Sequence, residues 1–366
     1  INNYLISVAK SVSPLQSDLL DNLRAELIDC PVEFIVSEFD VYMKLVKLNV
    51  RKASLCSTID IRLLYKLADV LAAPICALIN TSIRQGLVPE QWKLSRISPI
   101  PKNIPVMRID NDIRPIAVTC PISKIAESFV SSLFNQHFVD HLDVNQHGST
   151  KGRSTVTALI HFSHSIFVAS DDNRNIIRLL FVDFSKAFDL IDHSVLYKKL
   201  TDLEFPAHVR LWSLSFVQQR KQFVKLGNYV SNVIISNAGA PQGTLAGPDD
   251  FKLLINDLRF DTTYIKYVDD VSIATISFDP KNSELQDAAN KLVGWCRSNG
   301  MALNTKKTKE LVIHFGKRVD KKSIPNIVIN ETNIERVESF KLLGVYFSSD
   351  LSWSTHVEYI QGGPKK

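Results

Sequence analysis

Apolar positions in the first 95 residues recur at helical spacing. Leu19, Leu20, Leu23 and Leu27 fall on one face, as do Ile61, Leu64, Leu67, Ala68 and Leu71, which predicts a run of amphipathic helices. From Ile97 onward the pattern changes to short strands alternating with helices, the signature of an α/β or α+β unit. Ile176–Val182 is a nearly continuous apolar run, as expected of a strand covered on both faces. A helix should follow through Val195, Leu196 and Leu200. Gln219–Leu226 and Tyr229–Ser236 flank Gly227-Asn228 and read as a hairpin. Tyr264–Ile276 reads as two short strands joined at Val268-Asp269. In Ser283–Asn299 the stripe Leu285, Ala288, Ala289, Leu292, Val293, Cys296 predicts the clearest helix of the chain. Ser283 with Gln286 suggests a capping box, and Gly300 sits where a left-handed C-terminal residue belongs. Ile327–Ile329 and Phe340–Phe347 read as closing strands. The order from residue 176 to about 313 resembles an elaborated split βαβ sheet, and the chain has no internal repeats.

Composition narrows the class. A chain of 366 residues suggests about two to three structural units. With 45% hydrophobic residues, 13 Gly and 15 Pro, disordered and low-complexity readings fail. Lys+Arg minus Asp+Glu is 43 − 38 = +5, a mild basic excess that suits nucleic acid. The window Thr305–Lys322 alone carries Lys306, Lys307, Lys309, Lys317, Arg318, Lys321 and Lys322 against Glu310 and Asp320, 7 − 2 = +5. Cys30, Cys56, Cys76, Cys120 and Cys296 are odd in number and widely spaced, which argues for reduced intracellular thiols over a disulfide framework or a zinc site. The longest uncharged run, Leu226–Pro248, is rich in Asn, Ser, Gly and Pro, so no membrane helix is expected. No signal peptide is visible at Ile1, the first residue is not Met, and Gly362-Gly363-Pro364-Lys365-Lys366 closes no element; the chain reads as a piece of a longer reading frame.

Candidate chemistry centres on carboxylates. Asp183 directly follows the buried strand, in Phe181-Val182-Asp183-Phe184-Ser185-Lys186-Ala187-Phe188-Asp189. A carboxylate there costs several kcal/mol unless paired or metal-bound. Tyr267-Val268-Asp269-Asp270 places two acids side by side at a turn, where like charges repel unless a cation joins them. Singly, an Asp after a strand also serves as an N-cap and Asp-Asp also serves a turn; together they form a less ordinary set. Mg²⁺ takes few protein ligands, and two such ions about 4 Å apart stabilise the attacking and leaving oxygens of phosphoryl transfer.

These residues resemble the reverse transcriptase domain of a non-LTR (LINE-type) retrotransposon. The resemblance runs through Gly86-Leu87-Val88-Pro89-Glu90-Gln91-Trp92-Lys93, Ile97-Ser98-Pro99-Ile100-Pro101-Lys102, Ile113-Arg114-Pro115-Ile116 and Lys151-Gly152-Arg153-Ser154-Thr155. It continues through Phe184–Asp189, Gly239-Ala240-Pro241-Gln242-Gly243, Tyr267–Asp270, Met301-Ala302-Leu303-Asn304, Lys307-Thr308-Lys309 and Lys341-Leu342-Leu343-Gly344-Val345. It implies an α+β fold of right-hand polymerase architecture: a helical N-terminal or fingers extension (1–95), then a reverse transcriptase domain (96–346) with fingers at 96–170 and a split βαβ-type palm at 171–335. Palm end and start of thumb would occupy 336–366.

The resemblance also implies roles. Asp183, Asp269 and Asp270 would be the catalytic, metal-binding carboxylates, with the Phe184 carbonyl as an extra ligand. Phe188 would block a ribose 2′-hydroxyl, Gln242 and Gly243 would lie beside the incoming nucleotide and template, Arg114 would contact the triphosphate, and Lys307 would face the pyrophosphate leaving group. The cofactor would be two Mg²⁺ ions, with Mn²⁺ a substitute. Partners would be an RNA template, a DNA primer and deoxynucleoside triphosphates, with no membrane. An endonuclease and a zinc knuckle would lie on a longer parent chain, and the site of action would be intracellular, in the nucleus or a cytoplasmic ribonucleoprotein. One departure from the family pattern is Asp249-Asp250 after Gly247-Pro248, where a mostly apolar stretch is usual. The alternative is a catalytically inactive or truncated nucleic-acid-binding remnant.

Overall fold

Helices and sheets segregate as an α+β structure in the computed structural model, which describes residues 1–362 apart from 10, 11, 28, 56–58, 103, 317 and 318. Cys56, Lys317, Arg318 and the end at 363–366 therefore lie outside the described residues. The chain divides into two units, Ile1–Leu142 with Phe188–Leu254 and Asp143–Ala187 with Ile255–Lys366. Among the described residues no helix is long and apolar enough to cross a membrane.

In the first unit the helical spacing of residues 1–95 is realised as a series that includes Ser17–Ala25, Glu38–Leu45, Ile61–Lys66 and Ala68–Gln85. The last of these stops at Gly86, whose φ of +58° is left-handed and whose Cα leaves no room for a side chain, since a Cβ would lie 2.6 Å from Leu211. Leu94–Pro101 then pairs antiparallel with Ile113–Val118 and parallel with Arg220–Leu226. The expected hairpin forms, with Leu226 opposite Tyr229. Its return strand is split into Tyr229–Val230 and Ile234–Ser236.

Asp249 and Asp250 lie in the helix Ala246–Leu254, and both are buried. Asp249 accepts a hydrogen bond from Asn135 at 3.0 Å and pairs with Lys252 at 3.1 Å. Asp250 is held well above the usual carboxylate range by burial, reinforced by Asp249 and Glu127 and opposed by Arg220. Both carboxyls are buried and face partners within the unit rather than solvent, so the departure from the family pattern is absorbed inside it.

The second unit is built on Ile176–Val182, which is buried at every position, as its apolar run predicts. It lies between Asp270–Ser277 and Lys309–Ile313, antiparallel to both. Thr263–Tyr267 extends the sheet beyond the former strand and Glu335–Arg336 runs parallel beside the latter. One face carries Ile177, Leu179 and Phe181 against Phe162 and Ile166 of the helix Thr155–Ser170 and against Leu342 and Phe347. The one charged residue of the run, Arg178, donates to Glu310 at 2.8 Å, and Arg336 reaches the other Glu310 oxygen at 3.0 Å.

The helix Glu284–Ser298 buries Leu285, Ala288, Ala289, Leu292 and Cys296 as its stripe predicts, and Gly300 adopts φ +66°. Burial pushes the Cys296 thiol up to about 12, which suits an inert core cysteine. Two local expectations fail. The capping box does not form, because Ser283 has helical dihedrals (φ −92°, ψ −7°) and its hydroxyl donates to Asp287; the Asn282 side chain accepts the Glu284 N–H instead. Gln286 is occupied with the Val328 backbone, accepting its N–H and donating to its carbonyl. Phe340–Phe347 is two strands, Ser339–Leu342 and Val345–Ser348, turning at Leu343 (φ +47°) and Gly344 (φ +95°). Two successive left-handed residues make a two-residue hairpin turn.

Candidate active site

Three carboxylates meet at one end of the second unit's sheet because of strand register. Val182 is opposite Val271, so the next step along each chain brings Asp183 alongside Asp270. On the other side Tyr267 is opposite Asp270, leaving Val268 and Asp269 as the two residues of the turn. Val268 has φ +58°, a left-handed conformation that strains a β-branched residue by about 1–3 kcal/mol.

Asp183 is fixed through its backbone. Its N–H donates to the hydroxyl of fully buried Thr308 at 3.2 Å, and its carbonyl accepts the Asn304 N–H at 2.8 Å. Ser185 N–H donates to the Ala302 carbonyl at 2.8 Å. Phe184 thus forms an antiparallel bridge with Leu303 in which the bonds run through its neighbours, so its own carbonyl lies outside that pairing. The ring packs edge-on against Trp295 at 6.2 Å. Lys307 donates its N–H to the Asn304 carbonyl at 3.1 Å and keeps an exposed side chain; the segment that holds Asp183 therefore also carries Lys307.

The carboxyls perturb one another. Asp270 is raised to about 6 by the protein mass around it, then by Asp269 and Asp183. Asp269 is raised by the same enclosure and then by Asp183. Both side chains are exposed at the strand end, so water tempers the first cause and like-charge crowding remains as the sturdier one. Crowded carboxylates open to solvent fit a divalent cation, which neutralises them and completes its shell with water or phosphate oxygens. Among the described residues no three His, Cys, Asp or Glu side chains enclose an ion on their own.

One support of the turn had no counterpart in the motif reading. Lys266, in the strand that leads into the turn, is fully buried. Its ammonium contacts Asp143 at 2.6 Å and donates to the carbonyls of Ile255 and Leu258 at 2.8 and 2.9 Å. Burial pulls it down to about 8 against the attraction of Asp143. The only signal in the sequence is a lysine in an otherwise aromatic and β-branched strand, Tyr264-Ile265-Lys266-Tyr267.

The other candidates belong to the first unit. Phe188 is half-buried in a turn and stacks on Phe251 with centroids 5.1 Å apart. Its carbonyl accepts the Ala240 N–H at 2.8 Å, which ties it to the segment carrying Gln242 and Gly243. Gln242 in turn accepts the Ala117 N–H at 2.7 Å, and Gly243 (φ +99°) approaches the Ala117 carbonyl so closely that a Cβ would lie 3.1 Å from it. Arg114 is exposed on that same strand, Ile113–Val118. Phe188, Gln242, Gly243 and the Arg114 strand are thus connected within one unit, while Asp183, Asp269 and Asp270 meet within the other, where Lys307 follows Asn304, the residue whose N–H donates to the Asp183 carbonyl. In the basic window Lys309 pairs with Glu335 at 2.6 Å, and Lys306 is exposed beside Lys307.

The profile of the family described as reverse transcriptase (RNA-dependent DNA polymerase) matches residues 100–347. Among curated proteins the chain is similar to the probable RNA-directed DNA polymerase from transposon BS of Drosophila melanogaster, 25% identical over 80% of this chain and 34% of that protein. It is also similar to the RNA-directed DNA polymerase from mobile element jockey of the same organism, 24% identical over 87% of this chain and 36% of that protein. The probable RNA-directed DNA polymerase from transposon X-element is 26% identical over 78% and 32%. The chain spans about a third of the length of these relatives. Apo telomerase from Candida tropicalis, truncated from its C-terminal domain, overlaps 72% of this chain and 55% of that one at 12% identity and a TM-score of 0.46. With the match covering most of its length, the chain belongs to the reverse transcriptase (RNA-dependent DNA polymerase) family.

Proposed function

We propose that the chain is an RNA-directed DNA polymerase that extends a DNA primer 3′-hydroxyl with deoxynucleotides on an RNA template. The observation that carries the reading is the convergence of Asp183, Asp269 and Asp270 at one strand end, with the mutual charge that raises Asp269 and Asp270. Reverse transcriptases generally use divalent metal ions, and two Mg²⁺ ions would activate the hydroxyl and neutralise the pyrophosphate. Asp183 and Asp269 would be the more direct holders of those ions, Asp270 the third carboxylate, and the Phe184 carbonyl an additional oxygen. Lys307 would place a cation at the leaving pyrophosphate. Arg114 would bind the triphosphate through its forked guanidinium. Gln242 and Gly243 would line the nucleotide and template, and the Phe188 ring would stand where a ribose 2′-hydroxyl would sit. In this reading the five-stranded sheet of the second unit is the palm, and exposed lysines such as Lys306 follow the nucleic-acid backbone, so binding weakens as salt rises.

The test is primer extension by the purified chain on an RNA template with a DNA primer, at low salt with Mg²⁺. Replacing Asp269 and Asp270 together by Asn should abolish synthesis while template binding stays within about a few-fold, since base-independent affinity comes from cations. Synthesis retained in that variant would remove the carboxylates from the reaction. No product from the unaltered chain, with template-primer still bound, would assign it to the binding remnant.

A further inference from the structure

We propose that Gln146 is a positioning residue for the carboxylate turn, acting through the Val268 amide. The proposal deepens the polymerase reading and rests on it for its consequence, though not for its geometry. Gln146 is fully buried, and its side-chain carbonyl accepts two backbone N–H groups, from Gly148 at 2.9 Å and from Val268 at 3.3 Å. Val268 is the strained residue of the turn and directly precedes Asp269 in the chain. The segment around Gln146 is locked alongside the strand leading into that turn: Lys266 N–H donates to Asn145 at 2.9 Å, His147 N–H donates to Lys266 at 2.8 Å, and Gln146 forms a parallel bridge with Lys266. The approach is close enough to require glycine at 148, where a Cβ would fall 2.3 Å from the Val268 nitrogen. The Gln146 side-chain N–H₂ group is buried with no partner among the described residues. A purely structural glutamine would be expected to use its amide as well; here the side chain is kept for its acceptor oxygen, and that oxygen is spent on the turn.

Holding the Val268 amide keeps the left-handed residue from relaxing, and with it the direction in which Asp269 leaves the turn. Supporting hydrogen bonds of this sort set the affinity of a metal site, and their loss costs about tenfold or more.

The experiment compares the full chain with Gln146→Met, which keeps the shape and removes the acceptor, and with Gln146→Glu, which keeps an acceptor oxygen in either protonation state. Hydrogen exchange of the Val268 amide is read by NMR without metal, and Mn²⁺ binding is read by electron paramagnetic resonance. Gln146→Met should speed Val268 exchange by about tenfold and raise the Mn²⁺ midpoint by about tenfold, with Gln146→Glu nearer to wild type in both. Wild-type values in a folded Gln146→Met, or equal losses in both variants, would overturn the proposal. Should Gln146→Met not fold, the unaltered chain decides: a protected Val268 amide supports the bond, and exchange at the rate of an unstructured chain refutes it. A wild-type chain that binds no Mn²⁺ would sink the polymerase reading, while Val268 exchange would still decide the role of Gln146.

Discussion

Asp270→Asn should stabilise the metal-free chain while costing it synthesis. In the wild type this carboxyl is raised from 3.8 to about 6, by enclosure first and then by Asp269 and Asp183. A raised carboxyl holds its proton more tightly in the folded chain than in the unfolded one. Its contribution is therefore fully present below about pH 4 and is lost as pH climbs through about 6. The whole displacement corresponds to about 3 kcal/mol at about 1.4 kcal/mol per pH unit. The side chain is exposed, however, and screening by water leaves about 1 kcal/mol. Asparagine carries no charge at any of these pH values, so the variant keeps what the wild type loses.

The assay is thermal unfolding of both chains at pH 4 and pH 8 with divalent ions removed. The two should unfold together at pH 4, and Asp270→Asn should unfold about 1 °C higher at pH 8, the shift that about 1 kcal/mol produces in a chain of this size. Adding Mg²⁺ at pH 8 should then raise the wild type more than the variant, which keeps Asp183 and Asp269 but lacks the third carboxylate, because an ion bound to the folded state alone stabilises it by mass action. A variant no more stable than wild type at pH 8, or a gain that ignores pH, would refute the like-charge account of the site.

Two further outcomes follow from the same geometry. Lys266→Met strands Asp143 as an unpaired buried charge and should cost about 3–5 kcal/mol in denaturant unfolding, with much of the loss recovered in the double variant that also carries Asp143→Asn; a Lys266→Met chain of wild-type stability would show the pair to be dispensable. Phe188→Ala should admit ribonucleotides in primer extension, since the ring stacked on Phe251 is the bulk assigned to the 2′ position, and unchanged sugar selectivity would take Phe188 out of that role.

What could be read from the chain were features whose cause is local. The strand Ile176–Val182 announces itself because a strand covered on both faces must be apolar throughout, and the helix Glu284–Ser298 because one face of it must be. The turn at Val268-Asp269 was visible as a break between two β-type runs, and the register of its strands then brings Asp183 and Asp270 side by side. Local signals also misled. The Ser283–Gln286 spacing meets the pattern of a capping box, yet Asn282 supplies the cap because Ser283 is already helical and Gln286 bonds across to Val328. Phe340–Phe347 reads as one strand because Leu343 hides a left-handed turn behind an apolar side chain.

The parts that were illegible share a different physical origin: they are hydrogen bonds between segments far apart in the chain. Asp249-Asp250 stands as a departure from the family pattern in the sequence because nothing nearby reveals Asn135 or Glu127, which stand more than a hundred residues upstream. Gln146 and Lys266 carry no motif, since a backbone amide and a set of backbone carbonyls are partners that every sequence offers. The carboxylates of this turn repel one another, and Val268 is held in a conformation it would not choose. Both conditions favour a turn that opens unless something outside it supplies the difference. The Asp143–Gly148 segment does so with one buried charge pair, one accepting side chain and one glycine. The chemistry of the site is thus written in a short run of residues, and its rigidity in another that lies more than a hundred positions away.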